Sequence, residues 1–176
     1  MGFRRRSLSS FRARTSCPRA LENCDIEITV AGPIGISEDA VAQAPANVNV
    51  TFTVPVPRDR VSALCRAADV FVLPTLSDGF GMTQVEATGH GCPVAATPNC
   101  GRVVTDGEDG FIITPRDAEA LADGLLILSR NRRRLHQMAR ATQETAQKYT
   151  LDAYARRLFT AVHAAIESPE QTDTDR

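Results

Sequence analysis

The stretch of residues 69–74, DVFVLP, constrains the fold more than any other part of this sequence. A nearly continuous apolar run that ends at a proline is typical of a strand buried on both faces of a parallel sheet. Parallel strands need crossover connections, which are usually helices. We therefore ask whether strands and helices alternate along the rest of the chain.

Apolar periodicity predicts that they do. Strands are expected at 26–32, 47–54, 93–97 and 110–115, and helices at 59–67, 81–90, 116–131, 132–149 and 150–168. This order predicts an α/β fold, a Rossmann-like and mostly parallel sheet with helices on both faces, followed by C-terminal helices. The expected organisation is a basic N-terminal segment (1–24), a folded domain (25–167) and a disordered tail (168–176).

Composition excludes several classes of protein. A chain of 176 residues favours one domain, and a net charge of −1 gives no attraction for nucleic acid. The arginines among residues 1–20 allow at most peripheral contact with an anionic membrane, and a frayed basic terminus is the simpler interpretation. No stretch is long and apolar enough to cross a bilayer. Five cysteines without a CxxC pair, and three separated histidines, predict a reduced, cytoplasmic protein without a metal site.

The candidate site is the stretch that follows the buried strand, SDGFGMTQVEATGHGCPV, residues 77–94. Glycines let another molecule approach the backbone, and the unpaired amides and dipole at a helix start attract an anion, often phosphate. Glu86 lies about a turn and a half into the helix, where a carboxylate can accept two hydrogen bonds from ribose hydroxyls. Asp78, in the preceding loop, would face another part of the same ligand.

Simpler roles exist for the same residues. Asp78 could cap the helix, and Glu86 could be a solvated surface residue. A dinucleotide site is not supported, because the last glycine of GxGxxG is missing, and neither a Walker A motif nor a nucleophile elbow occurs. We expect Gly89 and Gly91 to let the helix pack close to the sheet before the chain turns into Pro93.

These residues resemble the donor-binding segment of the retaining glycosyltransferases of group 1, or family 4, which have the GT-B fold. The family pattern is a strand ending in Pro-Ser, then Glu-Gly-Phe-Gly, Glu-Ala and Gly-x-Pro-Val. The matching residues here are Pro74-Thr75, Asp78-Gly79-Phe80-Gly81, Glu86-Ala87 and Gly91-Cys92-Pro93-Val94. The likeness extends from Ile26 to Glu167 and is strongest between Ala67 and Leu125, where VVTDGEDGFIITPRDAEALADGL also resembles the family.

The resemblance implies one GT-B half that binds a nucleotide-diphosphate sugar for retaining hexosyl transfer, with no metal and no cofactor. It places Glu86 on the ribose hydroxyls and Asp78, the catalytic residue, on the donor sugar. Backbone amides near the glycines are expected to hold the sugar and the diphosphate. The donor-binding residues implied in this way are Gly79, Phe80, Gly81, Met82, Thr83 and Glu86, with Arg102 as a further candidate.

The sequence also departs from the family. Asp78 is one methylene shorter than the usual Glu, and Arg102 replaces an acid, where it could pair with phosphate or be an ordinary surface residue. The arginine–lysine pair that neutralises the diphosphate has no counterpart, because the single lysine, Lys148, lies in a C-terminal helix. We therefore expect a donor-binding half, a truncation or a fragment, that needs an acceptor-binding domain. Without that support, Leu158, Phe159 and Val162 would either fold onto this domain or expose an apolar patch that favours self-association.

Two other functions stay open. A catalytically inactive module of the same fold could bind a nucleotide or dock another protein, and the missing lysine, Asp78 and Arg102 favour it. A GT-B-like sugar epimerase would need acid–base residues in the cleft, and His90 is the only candidate close by in sequence.

Overall fold

The computed structural model describes residues 26–31, 48–53 and 56–167. The basic segment at 1–24 and the tail at 168–176 lie outside the described residues. Within them, strands and helices follow one another in the order that the periodicity predicts. The elements are β1 (Ile26–Ala31), β2 (Val48–Thr53), α1 (Arg58–Ala67), β3 (Phe71–Leu73), α2 (Met82–Gly89), β4 (Val94–Ala96), β5 (Gly110–Ile112), α3 (Ala118–Arg130), α4 (Arg132–Gln147) and α5 (Leu151–Glu167).

All described strand pairs are parallel. β1 pairs with β2, and β3, β4 and β5 form a second sheet in that order. Phe71 lies opposite Val94, which lies opposite Gly110. A Cβ atom on Gly110 would lie 2.0 Å from the carbonyl oxygen of Val94, so this pairing requires glycine. The predicted α/β class with parallel strands is confirmed.

Helices cover both faces of the three-stranded sheet. Side chains alternate along a strand, so Val72 of β3 points to one face while Phe71 and Leu73 point to the other. The core on the first face is Val70, Val72, Ala95, Ile113, Leu121, Leu128, Leu135 and Met138, which joins the sheet to α3 and α4. The core on the second face is Cys65, Phe71, Leu73, Ala87, Cys92, Val94 and Ala96, which joins it to α1 and α2.

Two polar contacts attach α4 to the sheet. The guanidinium of Arg132 lies 3.2 Å from the carboxylate of Asp69, just before β3. Asp109, just before β5, is buried and accepts hydrogen bonds from the Thr145 hydroxyl and, at 2.7 Å, from the Thr105 amide. A buried carboxylate needs such partners, because leaving it unpaired is costly.

The glycines at the C-terminal end of α2 differ from the prediction. A Cβ atom on Gly89 would meet no other group within 4 Å, so this residue does not serve close packing. Gly91 has a φ of +71°, and its Cβ would lie 3.2 Å from the side-chain nitrogen of Gln143 and 3.7 Å from the carbonyl oxygen of Ala139. Gly91 therefore permits a left-handed turn against α4, which confirms the expected turn before Pro93. The expectation that these two glycines let the helix pack close to the sheet is wrong.

The last helix, α5, has no buried residue. Its large apolar side chains are exposed and recur at helical spacing: Leu151, Tyr154, Leu158, Phe159, Val162 and Ile166. Of the two outcomes expected for this helix, the structure shows the exposed apolar surface. Within the described part of the chain, no helix has the length and apolarity that a membrane span requires.

Candidate functional site

Two loops meet at the carboxyl edge of the sheet, where α/β proteins bind their ligands. The first loop (residues 74–81) follows β3, and the second loop (residues 97–103) follows β4. The amide of Asp78 donates to the carbonyl of Asn99 at 3.0 Å, and the Asn99 side chain donates to the carbonyl of Leu76 at 2.9 Å. The hydroxyl of Thr97 donates to the carbonyl of Thr75 at 2.6 Å. These bonds join the two loops into one continuous surface beside the start of α2.

Gly81 makes the turn from the first loop into α2. It has a left-handed backbone, with φ of 69° and ψ of 59°. A Cβ atom here would lie 2.9 Å from Cδ2 of Leu73. The Gly81 amide donates to the Asp78 carboxylate at 2.8 Å. The carboxylate of Asp78 therefore closes the loop that precedes the helix. This role is related to the helix cap considered for Asp78, but the hydrogen bond goes to the N-cap residue itself.

The start of α2 presents unpaired amides. Asp78 bonds to Gly81, so it does not reach the next two amides, and the N-cap has no side-chain hydrogen bond. Among the described residues, the N–H groups of Met82 and Thr83 have no acceptor. Both residues are exposed. Such a helix start can bind an anion through its amides and its dipole.

Gln84, which is absent from the predicted site, lies beneath both loops. It is fully buried, and its Nε2 donates to the carbonyl oxygens of Phe80 at 2.7 Å and Gly101 at 2.8 Å. Two carbonyl acceptors fix the orientation of the amide, because only its nitrogen can donate. Its Oε1 has no hydrogen-bond partner among the described residues. Helical spacing with the buried Ala87 and Thr88 was the signal that could have identified this position.

Phe80 connects the first loop to the C-terminal helices. Its ring lies over Gly101, where a Cβ atom would come within 2.4 Å of Phe80 Cδ2. The rings of Phe80 and Tyr149 have centroids 6.1 Å apart, at an interplanar angle of 57°. The Tyr149 hydroxyl donates to the carbonyl of Arg102 at 2.9 Å. Tyr149, between α4 and α5, thus contacts both loops.

Glu86 lies further along α2 and is half-buried. Burial raises the pKa of the Cys65 thiol, the negative charge of Glu86 raises it further, and Arg66 lowers it. Glu86 is therefore close to the C-terminal end of α1. It does not lie on the face of α2 that contains Gln84, and it is not fully exposed to solvent.

The predicted site residues fall into three groups. Gly81 is buried and Glu86 is half-buried; the exposed residues are Asp78, Gly79, Phe80, Met82, Thr83 and Arg102. Hydrogen bonds hold the first loop and the second loop together, and one of them joins Gly101 to Phe80. Arg102, the residue after Gly101, is thereby brought close to the first loop. The roles of these residues towards a ligand stay predictions. In residues 26–31, 48–53 and 56–167, no group of three or more His, Cys, Asp or Glu side chains is placed to hold a metal ion.

Comparison with known proteins places this geometry in a family. A sequence model described as "Glycosyl transferases group 1" matches residues 11–131. The D-inositol 3-phosphate glycosyltransferase of Nocardia farcinica is 31% identical over 148 residues, which cover 83% of this chain and 31% of that protein. The sucrose synthase of Acidithiobacillus caldus is 41% identical over 98 residues, or 52% of this chain and 12% of that protein. The chain thus spans about a third or less of the length of these relatives.

Solved structures share the fold. The C-terminal domain of LpcC, a group 1 family glycosyl transferase from Francisella tularensis, superposes with a TM-score of 0.68 at 19% identity, covering 83% of this chain and 87% of that one. Anabaena Alr3699/HepE in complex with UDP-glucose gives 0.66 at 21% identity, covering 91% and 49%. The fold is that of one GT-B half. Because the family match spans more than half of the residues and the sheet agrees with these structures, the chain belongs to the group 1 glycosyltransferases.

Proposed function

We propose that residues 25–167 bind a nucleotide-diphosphate sugar and present it for retaining, metal-independent glycosyl transfer. The observation that carries this proposal is the unpaired start of α2, at Met82 and Thr83, on the same helix as the half-buried Glu86. An anion at the amides and a hydroxylated ring at Glu86 together match a nucleoside diphosphate. HepE, a structural neighbour, has been solved with UDP and with UDP-glucose, which makes uridine nucleotides the first to test.

Each residue has a proposed role. Glu86 accepts hydrogen bonds from the ribose hydroxyls, and the amides of Met82 and Thr83 bind the diphosphate. Asp78 and Gly79 contact the sugar, and Arg102 lies at the edge where it reaches a phosphate. The helix dipole and the amides stabilise the negative charge of the leaving diphosphate as the glycosidic bond breaks.

Calorimetry with UDP, GDP and ADP tests nucleotide binding directly. Glu86→Gln and Glu86→Ala should weaken the preferred nucleotide by about ten- to a hundredfold, because hydrogen bonds to a charged acceptor contribute about 1.5–3 kcal/mol. Glu119→Gln is the matched control, since Glu119 is an exposed acid on α3, which packs on the opposite face of the sheet from α2. Equal binding by the wild type and the Glu86 variants would remove Glu86 from the site.

Transfer to an acceptor requires a further domain in this proposal. The exposed apolar side chains of α5, which include Leu158, Phe159 and Val162, form a surface suited to packing on that domain. Self-association through the same surface is the alternative. Light scattering of the wild type and of a Leu158→Glu/Phe159→Glu variant distinguishes these alternatives. A dimeric wild type and a monomeric variant support self-association, and a monomeric state for both proteins supports a separate acceptor-binding domain.

A nucleotide-binding module without transfer is the second candidate function. The bond from the Gly81 amide to Asp78 favours it, because this carboxylate is already engaged within its own loop. Release of UDP from UDP-glucose should be measured for the wild type and for Asp78→Asn, with and without a separately supplied acceptor-binding domain. Equal rates in all four reactions would favour the module over the transferase.

A further inference from the structure

We infer that Gln84 is a positioning residue for the donor site: it holds the peptide units of both loops so that Asp78 and the outward-facing amides take up their binding geometry. This inference rests on the proposed function, and it adds a residue that the family motif does not contain. Gln84 would act through the backbone and would not touch the ligand.

The first step is the direction of two peptide units. In a trans peptide the C=O and the following N–H point in opposite directions. Gln84 Nε2 binds the carbonyl of Phe80, so the N–H of the same peptide unit, that of Gly81, points the other way. That N–H donates to the Asp78 carboxylate at 2.8 Å. A chain of hydrogen bonds therefore runs from Gln84 through one peptide unit to Asp78.

The second loop repeats this arrangement. Gln84 Nε2 also binds the carbonyl of Gly101, so the N–H of the same peptide unit, on Arg102, is directed away from the core. In the part of the chain that the structure describes, this N–H has no acceptor. Gly101 in turn donates its own N–H to the carbonyl of Phe80 at 3.0 Å. One side-chain nitrogen thus bonds to a carbonyl of each loop, beneath the hydrogen bonds that join the loops directly.

Packing alone does not account for a glutamine at this position. Gln84 is fully buried, and its Oε1 has no partner among the described residues. An aliphatic side chain of similar size would fill the same space without burying an unpaired oxygen. What the amide adds over an aliphatic side chain is the pair of hydrogen bonds to the loops.

The test compares Gln84→Met with Thr88→Val. Methionine has a similar length but no donor. Thr88 is another fully buried polar residue of α2, and among the described residues its hydroxyl bonds within the helix, to the carbonyl of Val85. Calorimetry with UDP and UMP is run at a temperature where circular dichroism shows both variants folded. Gln84→Met should weaken UDP by about five- to tenfold while leaving UMP unchanged, if the phosphate that Arg102 of the second loop reaches is the second one, because UMP lacks that phosphate. Thr88→Val should leave both affinities unchanged.

Amide hydrogen exchange gives a readout that needs no ligand. In Gln84→Met the amides of Gly81 and Gly101 should exchange faster than in the wild type, and in Thr88→Val they should not. Unchanged exchange, or an equal loss of UDP and UMP affinity, would overturn the positioning role. If the wild type binds neither UDP nor UMP, the proposed uridine site fails, and exchange alone decides whether Gln84 orders the loops.

A measurement on the wild type covers the case in which Gln84→Met does not fold. The side-chain amide protons of Gln84 are followed by NMR as UDP is added. Slower exchange of these protons in the complex supports the inference, since binding would then tighten the loops around Gln84. Exchange that UDP does not alter overturns it.

Discussion

Replacing Gly81 by alanine tests the geometry on which the candidate site depends. Gly81 has a φ of +69°, which alanine adopts at a cost of about 1–2 kcal/mol. The new methyl group would also lie 2.9 Å from Leu73 Cδ2 and 3.2 Å from Gln84 Nε2. Leu73 is buried and Gln84 is held by two hydrogen bonds, so neither side chain can move freely. Overpacking of this kind costs about 1–3 kcal/mol.

Two other glycines separate the two costs. Gly107 has a φ of +78°, and a Cβ atom there would meet no group within 4 Å, so Gly107→Ala should show only the backbone cost of about 1–2 kcal/mol. Gly79 has neither a positive φ nor a close neighbour. Gly79→Ala should therefore be neutral or stabilise by about 0.4–1 kcal/mol, because alanine restricts the unfolded chain. Gly81→Ala should lose the sum of both costs, about 2–5 kcal/mol.

Urea denaturation followed by circular dichroism measures the free energy of unfolding of the three variants at one temperature, and unchanged m-values allow the values to be compared. The expected order of stability is Gly79→Ala, then Gly107→Ala, then Gly81→Ala. If Gly81→Ala were no less stable than Gly107→Ala, the close approach of Leu73 and Gln84 would be refuted, and with it the ordered turn into α2.

Three further predictions test the packing around the site. Gly110→Ala should cost at least about 3 kcal/mol in urea denaturation, because the methyl group would lie 2.0 Å from a carbonyl oxygen of β4; a loss below about 1 kcal/mol would contradict that strand spacing. Asp109→Ala should cost about 2–3 kcal/mol and Asp109→Asn less, because alanine leaves the Thr105 amide and the Thr145 hydroxyl without an acceptor; equal losses would contradict this. Burial raises the pKa of the Cys92 thiol above its usual 9.0, so above that pH the folded protein holds a proton that the unfolded chain loses, and the free energy of unfolding should fall as pH rises. Cys92→Ala should make this alkaline decline shallower in denaturation curves collected between pH 8 and roughly pH 11, and an identical decline would show that Cys92 does not contribute to it.

The position of the first loop was predictable because it depends on local signals. Three local features predict a loop between a buried strand and a helix in any parallel α/β fold: the apolar run at Phe71–Leu73, the proline after it and the glycines before Glu86. The left-handed turn needs glycine, which the sequence supplies at Gly81. The same local reasoning failed at Gly89, because whether a glycine touches anything depends on which element lies beside it.

The sequence by itself determined the order of strands and helices, the buried strand and the loop that follows it, since each depends on neighbours a few residues away. Only the tertiary structure decided what that loop contacts. Asp78 binds Gly81, Gln84 reaches Gly101, and the ring of Tyr149, just beyond the end of α4, packs at a tilt against Phe80. The physical reason is that the parallel pairing of β3 with β4 brings their two loops together, and no local pattern of residues encodes contacts between segments that distant in the chain.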